Sequence, residues 1–134
     1  MKARVFVFGN PLIREDSIAL RTAKELKGEI KGIIFEEIVE LDELEKTKKE
    51  EWKNIVLMDC AEGIKSVQLI PLERIKKQKI FSLHDFDLGL YLQLKQKIGE
   101  IGKVKIIGIP LGMQEEKAAE QTKKLLKRLF KVDK

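Results

Sequence analysis

Three segments of this chain, Val5 to Phe8, Ile55 to Met58 and Val104 to Ile107, are apolar at nearly every position, Lys105 being the exception. A strand with one wet face alternates apolar and polar residues; a strand that is apolar on both pleat faces must be covered from both sides. Three such strands, separated by longer stretches of helical period, restrict the fold to a mainly parallel sheet between helices. The reading is therefore an α/β, three-layer α/β/α sandwich with a twisted five- or six-stranded sheet. The expected strands are 3–8, 33–39, 54–59, 79–83 and 103–109, with a weaker one near 67–71.

Between the first two strands, Ala19, Thr22, Ala23 and Leu26 follow the spacing of one helix face, and Gly28 is placed to end that helix. Asp16 or Ser17 is positioned to cap its start. A very charged helix is expected over 41–51 and a stronger one, striped by Leu88, Tyr91 and Leu92, over about 86–98. A last helix carries Ala118, Thr122, Leu125 and Leu129 on one stripe, which makes the lysines of "KKLLKRLFKVDK" a solvated face. Pro11, Pro71 and Pro110 fall at element ends, where a missing N–H costs least.

At 134 residues the chain is read as one domain, 1–134, able to bury roughly two-thirds of its unfolded surface. Apolar residues at 43% and charged residues at 37% supply a core and a solvated exterior. The net charge of +5 alone does not make a nucleic-acid interface, because stacking aromatics and a recognisable binding module are missing. With one cysteine, Cys60, no intrachain disulfide framework and no multi-cysteine metal site can form. No apolar run approaches the ~20 residues of a membrane helix, and the opening residues do not read as a signal peptide. A reducing, cytoplasmic setting is the expectation.

Ligands of open parallel sheets bind beyond the carboxyl ends of the strands, so the residues there are the candidates for chemistry. They are Asn10, Glu15 and Asp16 after strand one, Asp59 at the end of strand three, and His84 with Asp85 after strand 79–83. Each has a plain structural role open to it: Asp16 as a helix cap, Asp59 as a partner of its own loop, His84 as the cap of the next helix. Together at one edge, two carboxylates and an imidazole make an oxygen and nitrogen ligand set suited to nickel, zinc, manganese or iron. Three protein ligands would leave positions open for substrate or water. A serine triad lacks its G-x-S-x-G elbow, a Cys60–His84 dyad competes with a packed, inert thiol, and Gly9 stands without the companions a nucleotide cradle needs. A phosphoacceptor receiver domain would use Glu15–Asp16, Asp59 and Lys105, but six residues separate the acids from strand one and Lys105 falls inside its strand.

The series "FGNPLIREDSIAL", "VLMDCAEG", "FSLHDFDL" and "VKIIGIP" resembles the nickel–iron hydrogenase maturation endopeptidases along the chain from strand one to strand five. The opening motif of that family matches Gly9, Asn10, Leu12, Glu15 and Asp16; its second acid matches Asp59; its Ser-x-His pattern matches Ser82 and His84. The resemblance implies a peptidase that removes the C-terminal extension of a hydrogenase large-subunit precursor once nickel has been inserted. It further implies that Asp16, Asp59 and His84 contact that nickel, which the precursor supplies, with Asn10 and Glu15 in support. The chain departs from the family in its Glu-Asp pair, in Ser17 and Ala19 where glycines are common, and in the loop "CAEG". A non-catalytic relative that binds a hydrogenase subunit is the second reading, and the receiver domain the third.

Overall fold

The computed structural model describes residues 3–8, 17–38, 54–71 and 103–131. The expected strand 79–83 and the expected helices over 41–51 and 86–98 lie outside the described residues. Within them the chain runs β1 (Ala3–Phe8), α1 (Ile18–Leu26), β2 (Ile33–Ile38), β3 (Asn54–Ala61), β4 (Gln68–Ile70), β5 (Lys103–Pro110) and α2 (Glu115–Leu129). The strands form one five-stranded sheet in the order β2-β1-β3-β5-β4, parallel throughout except for the antiparallel edge strand β4.

The sheet is buried on both faces, as its apolar strands require. Val5, Val7, Val56, Met58, Cys60, Ile107 and Ile109 share one face and pack with α1 and α2. The helices contribute Ile18, Ala19, Ala23 and Leu26 from α1 and Ala118, Ala119, Leu125 and Leu126 from α2. Alternate residues of the same strands, Phe6, Phe8, Leu57 and Ile106, turn to the other face and are equally buried. Each such side chain contributes about 1.5–3 kcal/mol of burial, so both faces hold the fold together.

Local sequence explains the boundaries. α1 ends at Leu26 because Gly28 takes a left-handed φ of +80°, and Glu29 N–H then donates to the Leu26 carbonyl at 2.9 Å. Its start departs from expectation. Ser17 makes no side-chain cap; its Oγ instead accepts from Arg21 Nε at 3.1 Å, one turn into the helix. α2 begins with Glu115 and Glu116 and ends near Lys127 and Arg128, charges that complement the helix dipole at both ends. Arg21 pairs with Glu115 and Lys123 with Glu29, the latter at 3.2 Å, tying α2 to α1 and to the turn that follows it.

Two strand ends also differ. β3 continues past Asp59 to Ala61, because β5 keeps offering partners: Cys60 pairs with Ile109 and Ala61 with Pro110. β5 accordingly extends to Pro110, whose missing N–H falls on the last rung. Pro71 follows β4 directly, and Pro11 lies outside the described residues. Among the described residues no helix is long and apolar enough to cross a membrane.

Candidate functional site

β1 lies between β2 and β3, so the chain leaves it in one direction through α1 to β2 and later returns on its other side as β3. In open sheets such a reversal opens a crevice beyond the carboxyl ends of the two strands concerned, here β1 and β3. Asp59 stands at that place. The register pairs Val7 with Met58, which sets Asp59 one rung further on, beside Phe8 at the end of β1. On its other side Asp59 pairs with Gly108 of β5.

Asp59 is only 2% exposed, and it is the one acid buried to that degree among the described residues. A carboxylate so placed needs polar compensation, since burial of a charge without it is expensive. Part comes from the backbone: Asp59 Oδ1 accepts the N–H of Cys60 at 2.8 Å, an arrangement that also fixes the carboxylate relative to the strand. Its side chain emerges among Leu57, Phe6, Phe8 and Ile106, the face opposite to α1 and α2.

Gly108 shapes the wall beside it. A Cβ at this position would collide with Ile70 Cδ1 and approach Ile70 Cγ1 to 3.0 Å and Ile64 Cδ1 to 3.1 Å. The two isoleucines therefore occupy the space that a side chain on β5 would fill, and they bring apolar surface up to the rung of Asp59. No sequence motif singled out Gly108, Ile64 or Ile70. The available signal was a lone glycine inside an otherwise β-branched run, which marks a close approach of neighbouring groups.

The other expected site residues, Asn10, Glu15, Asp16 and His84, lie outside the described residues, as do Ser82 and Asp85. Among the described residues no three of His, Cys, Asp or Glu converge. Cys60 is fully buried against α1 and α2, on the opposite face from Asp59, so the thiol does not share the carboxylate's surroundings. Lys105 is solvent-exposed and pairs with Val56, three rungs or roughly 10 Å toward the amino ends from Asp59. A receiver would need that lysine at the carboxyl edge, and the antiparallel β4 departs as well from the parallel order of flavodoxin-like sheets.

Neither a protein-family model nor a curated protein matches the chain. Solved structures do. The NiFe hydrogenase maturation protease HybD from Thermococcus kodakarensis superposes with a TM-score of 0.70 at 21% identity, covering 96% of this chain and 99% of that one. The endopeptidase HycI from Escherichia coli gives 0.68 at 15% identity, over 97% and 92% of the two chains. A hydrogenase 2 maturation peptidase from Thaumarchaeota archaeon SCGC_AB-539-E09 gives 0.60 at 19% identity, over 99% and 100%. The resemblance carried by the sequence motifs is thus met by the architecture: this chain has the α/β fold of the hydrogenase maturation proteases.

Proposed function

We propose that the chain is an endopeptidase that removes the C-terminal extension of a nickel-containing hydrogenase large-subunit precursor in the cytoplasm. The observation that carries this reading is Asp59, a buried acid at the carboxyl-edge crevice of a fold shared with named maturation proteases. Asp16 from the segment after β1 and His84 from the segment after 79–83 join Asp59 around the nickel that the precursor brings, with Asn10 and Glu15 supporting them. Two carboxylates and an imidazole are hard and borderline donors, a set that suits a divalent nickel ion. A peptidase that recognises the metal of its substrate cuts loaded precursor and spares the unloaded one. In the cut itself water adds across one peptide bond, the C–N bond breaks, the carbonyl side becomes a carboxylate and the leaving nitrogen takes the proton.

The test is incubation of the protein with nickel-loaded and nickel-free precursor, followed by mass measurement of the large subunit. Loss of the C-terminal peptide from the loaded form alone is the expected result. Cleavage of both forms overturns nickel recognition, and cleavage of neither overturns the peptidase reading in favour of a subunit-binding protein. His84→Ala should abolish nickel-dependent processing with an unchanged thermal midpoint; retained processing would remove His84 from the site.

A further inference from the structure

The Asp59 side chain has a defined set of neighbours on its own face of the sheet. Along β3 the same-face positions are Leu57 toward the amino end and Ala61 toward the carboxyl edge, both buried. Across the strands stand Phe8 of β1, one rung beyond the Val7–Met58 pair, and Gly108 of β5, the register partner of Asp59. Partners on adjacent parallel strands point to the same face about 5 Å apart, so whatever stands over Gly108 borders the Asp59 side chain. That place is taken by Ile70 of β4 and by Ile64 of the turn before it. Ile70 Cγ1 and Ile64 Cδ1 lie 3.0 and 3.1 Å from the point a Gly108 Cβ would occupy, and Ile70 Cδ1 lies nearer still.

We propose that Ile64 and Ile70 are positioning residues for Asp59. Admitted by the missing side chain of Gly108, they close the β5 side of a slot whose β1 side is Phe8, and they hold the carboxylate toward the carboxyl edge. This role rests on the peptidase reading above and deepens it, since that edge is where the precursor's nickel is to be recognised. The Cys60 N–H fixes Oδ1 at 2.8 Å, and bulky groups on both flanks restrict which way the rest of the side chain can turn. Of the side chains that border Asp59 among the described residues, Ala61 is the smallest, and it lies on the edge side. Isoleucine offers the carboxylate no hydrogen bond, so the β5 flank steers by exclusion: it keeps water and competing partners from that side of the acid. The apolar shell around a ligand and the packing that locks its rotamer set its orientation as much as its direct partners do. Any side chain on β5 at this rung would displace the two isoleucines, which gives the glycine its place in the device.

The experiment compares Ile70→Val with Ile107→Val in the full chain. Each removes one Cδ1 methyl from a buried isoleucine of the sheet, the first on the face of Asp59 and the second on the opposite face. Ile64→Ala is the larger truncation, at a half-buried position. For each variant the Kd of nickel-loaded and of nickel-free precursor is measured, with amide hydrogen exchange at Cys60, the donor to the carboxylate, and at Leu57 two residues earlier. Ile64→Ala should lose about tenfold of the parent's preference for loaded precursor and speed Cys60 exchange about tenfold, and Ile70→Val about threefold in each, with Leu57 exchange unmoved. Ile107→Val should lower the unfolding midpoint as Ile70→Val does and leave both readouts at parent values. An unchanged preference in Ile64→Ala and Ile70→Val overturns the proposal, and so does an equal loss in Ile107→Val. Exchange that speeds at Cys60 and Leu57 alike overturns it too, since it reports a loosened sheet and not a loosened carboxylate. If the parent cuts neither form of the precursor, the peptidase reading fails, while exchange at Cys60 still decides the wall: faster in the Ile64 and Ile70 variants upholds it, unchanged removes it.

Discussion

Asp59 and Cys60 are neighbours in β3, both almost wholly buried, and they belong to opposite faces of one sheet. The face of Cys60 is explained by packing alone. Valines, isoleucines and Met58 meet the apolar stripes of α1 and α2, and the thiol behaves there as one more small hydrophobe. The face of Asp59 contains Phe6, Phe8, Leu57 and Ile106, residues of the same kind, and yet an acid stands among them at the carboxyl edge. Apolar burial accounts for the phenylalanines, whereas the acid depends on polar compensation, part of which the Cys60 N–H supplies. The difference teaches that burial by itself is silent about function; a buried group that the surrounding packing disfavours is the informative one.

The contrast can be broken most directly by exchanging the two residues' chemistry. Asp59→Asn keeps the shape and an acceptor for the Cys60 N–H, so the fold should persist while precursor processing falls by at least about 100-fold. Cys60→Ala, one residue away, should leave processing within about threefold of the parent and lower stability by about 1 kcal/mol. Steady-state cleavage rates together with denaturant unfolding separate the two. Equal effects on cleavage would erase the distinction between the faces.

A smaller effect probes the wall of the acid's face. Gly108→Ala places a methyl group against Ile70 and Ile64 and should destabilise by about 1–3 kcal/mol through overpacking. Truncating the obstruction in the double variant Gly108→Ala, Ile70→Val should recover part of that loss, and denaturant midpoints of the two variants decide it. Failure to recover any would mean that the strain lies in the β5 backbone and not in the contact with Ile70.

The smallest effect belongs to the helix-covered face. Thr22 and Thr122 are buried on α1 and α2, and the hydroxyl oxygens of both find no hydrogen-bond partner among the described residues. Thr122→Val removes one such hydroxyl at nearly constant shape and should raise stability by about 1 kcal/mol, or about 3 °C in Tm, with processing unchanged. Calorimetry checks this. A loss of stability would show that the helix face is less purely apolar in its energetics than its residues indicate.

The strands and both described helices were legible from apolar runs and helical spacing, because a sheet covered on both sides leaves no alternative for segments such as Val5 to Phe8. The ends were less so. The sequence reads Asp59 as the close of its strand, but pairing with Ile109 and Pro110 carries β3 on to Ala61, and only the partner strand holds that information. Ser17 illustrates the same limit: it has the residue type of a cap, yet Arg21 one turn later claims its hydroxyl. Asp59 was found by its place after an apolar run. Gly108, Ile64 and Ile70 were not, since their relation depends on an antiparallel pairing across β5 that no local pattern encodes. Asp16, His84, Asn10 and Glu15 rest on their places after the expected strands and on the motif resemblance, being outside the described residues.

The pairing of β3 with β5 has a consequence for the order in which the protein is made. Asp59 and Gly108 are about 50 positions apart, so the rung that encloses the carboxylate closes one of the longest loops in the sheet. β1, α1 and β2 can associate early from nearby sequence, whereas the surroundings of Asp59 must wait until the ribosome has delivered β5. A nascent chain halted before residue 103 would carry the acid without the strand that encloses it, and the proposed peptidase would be inert until β5 had emerged and paired.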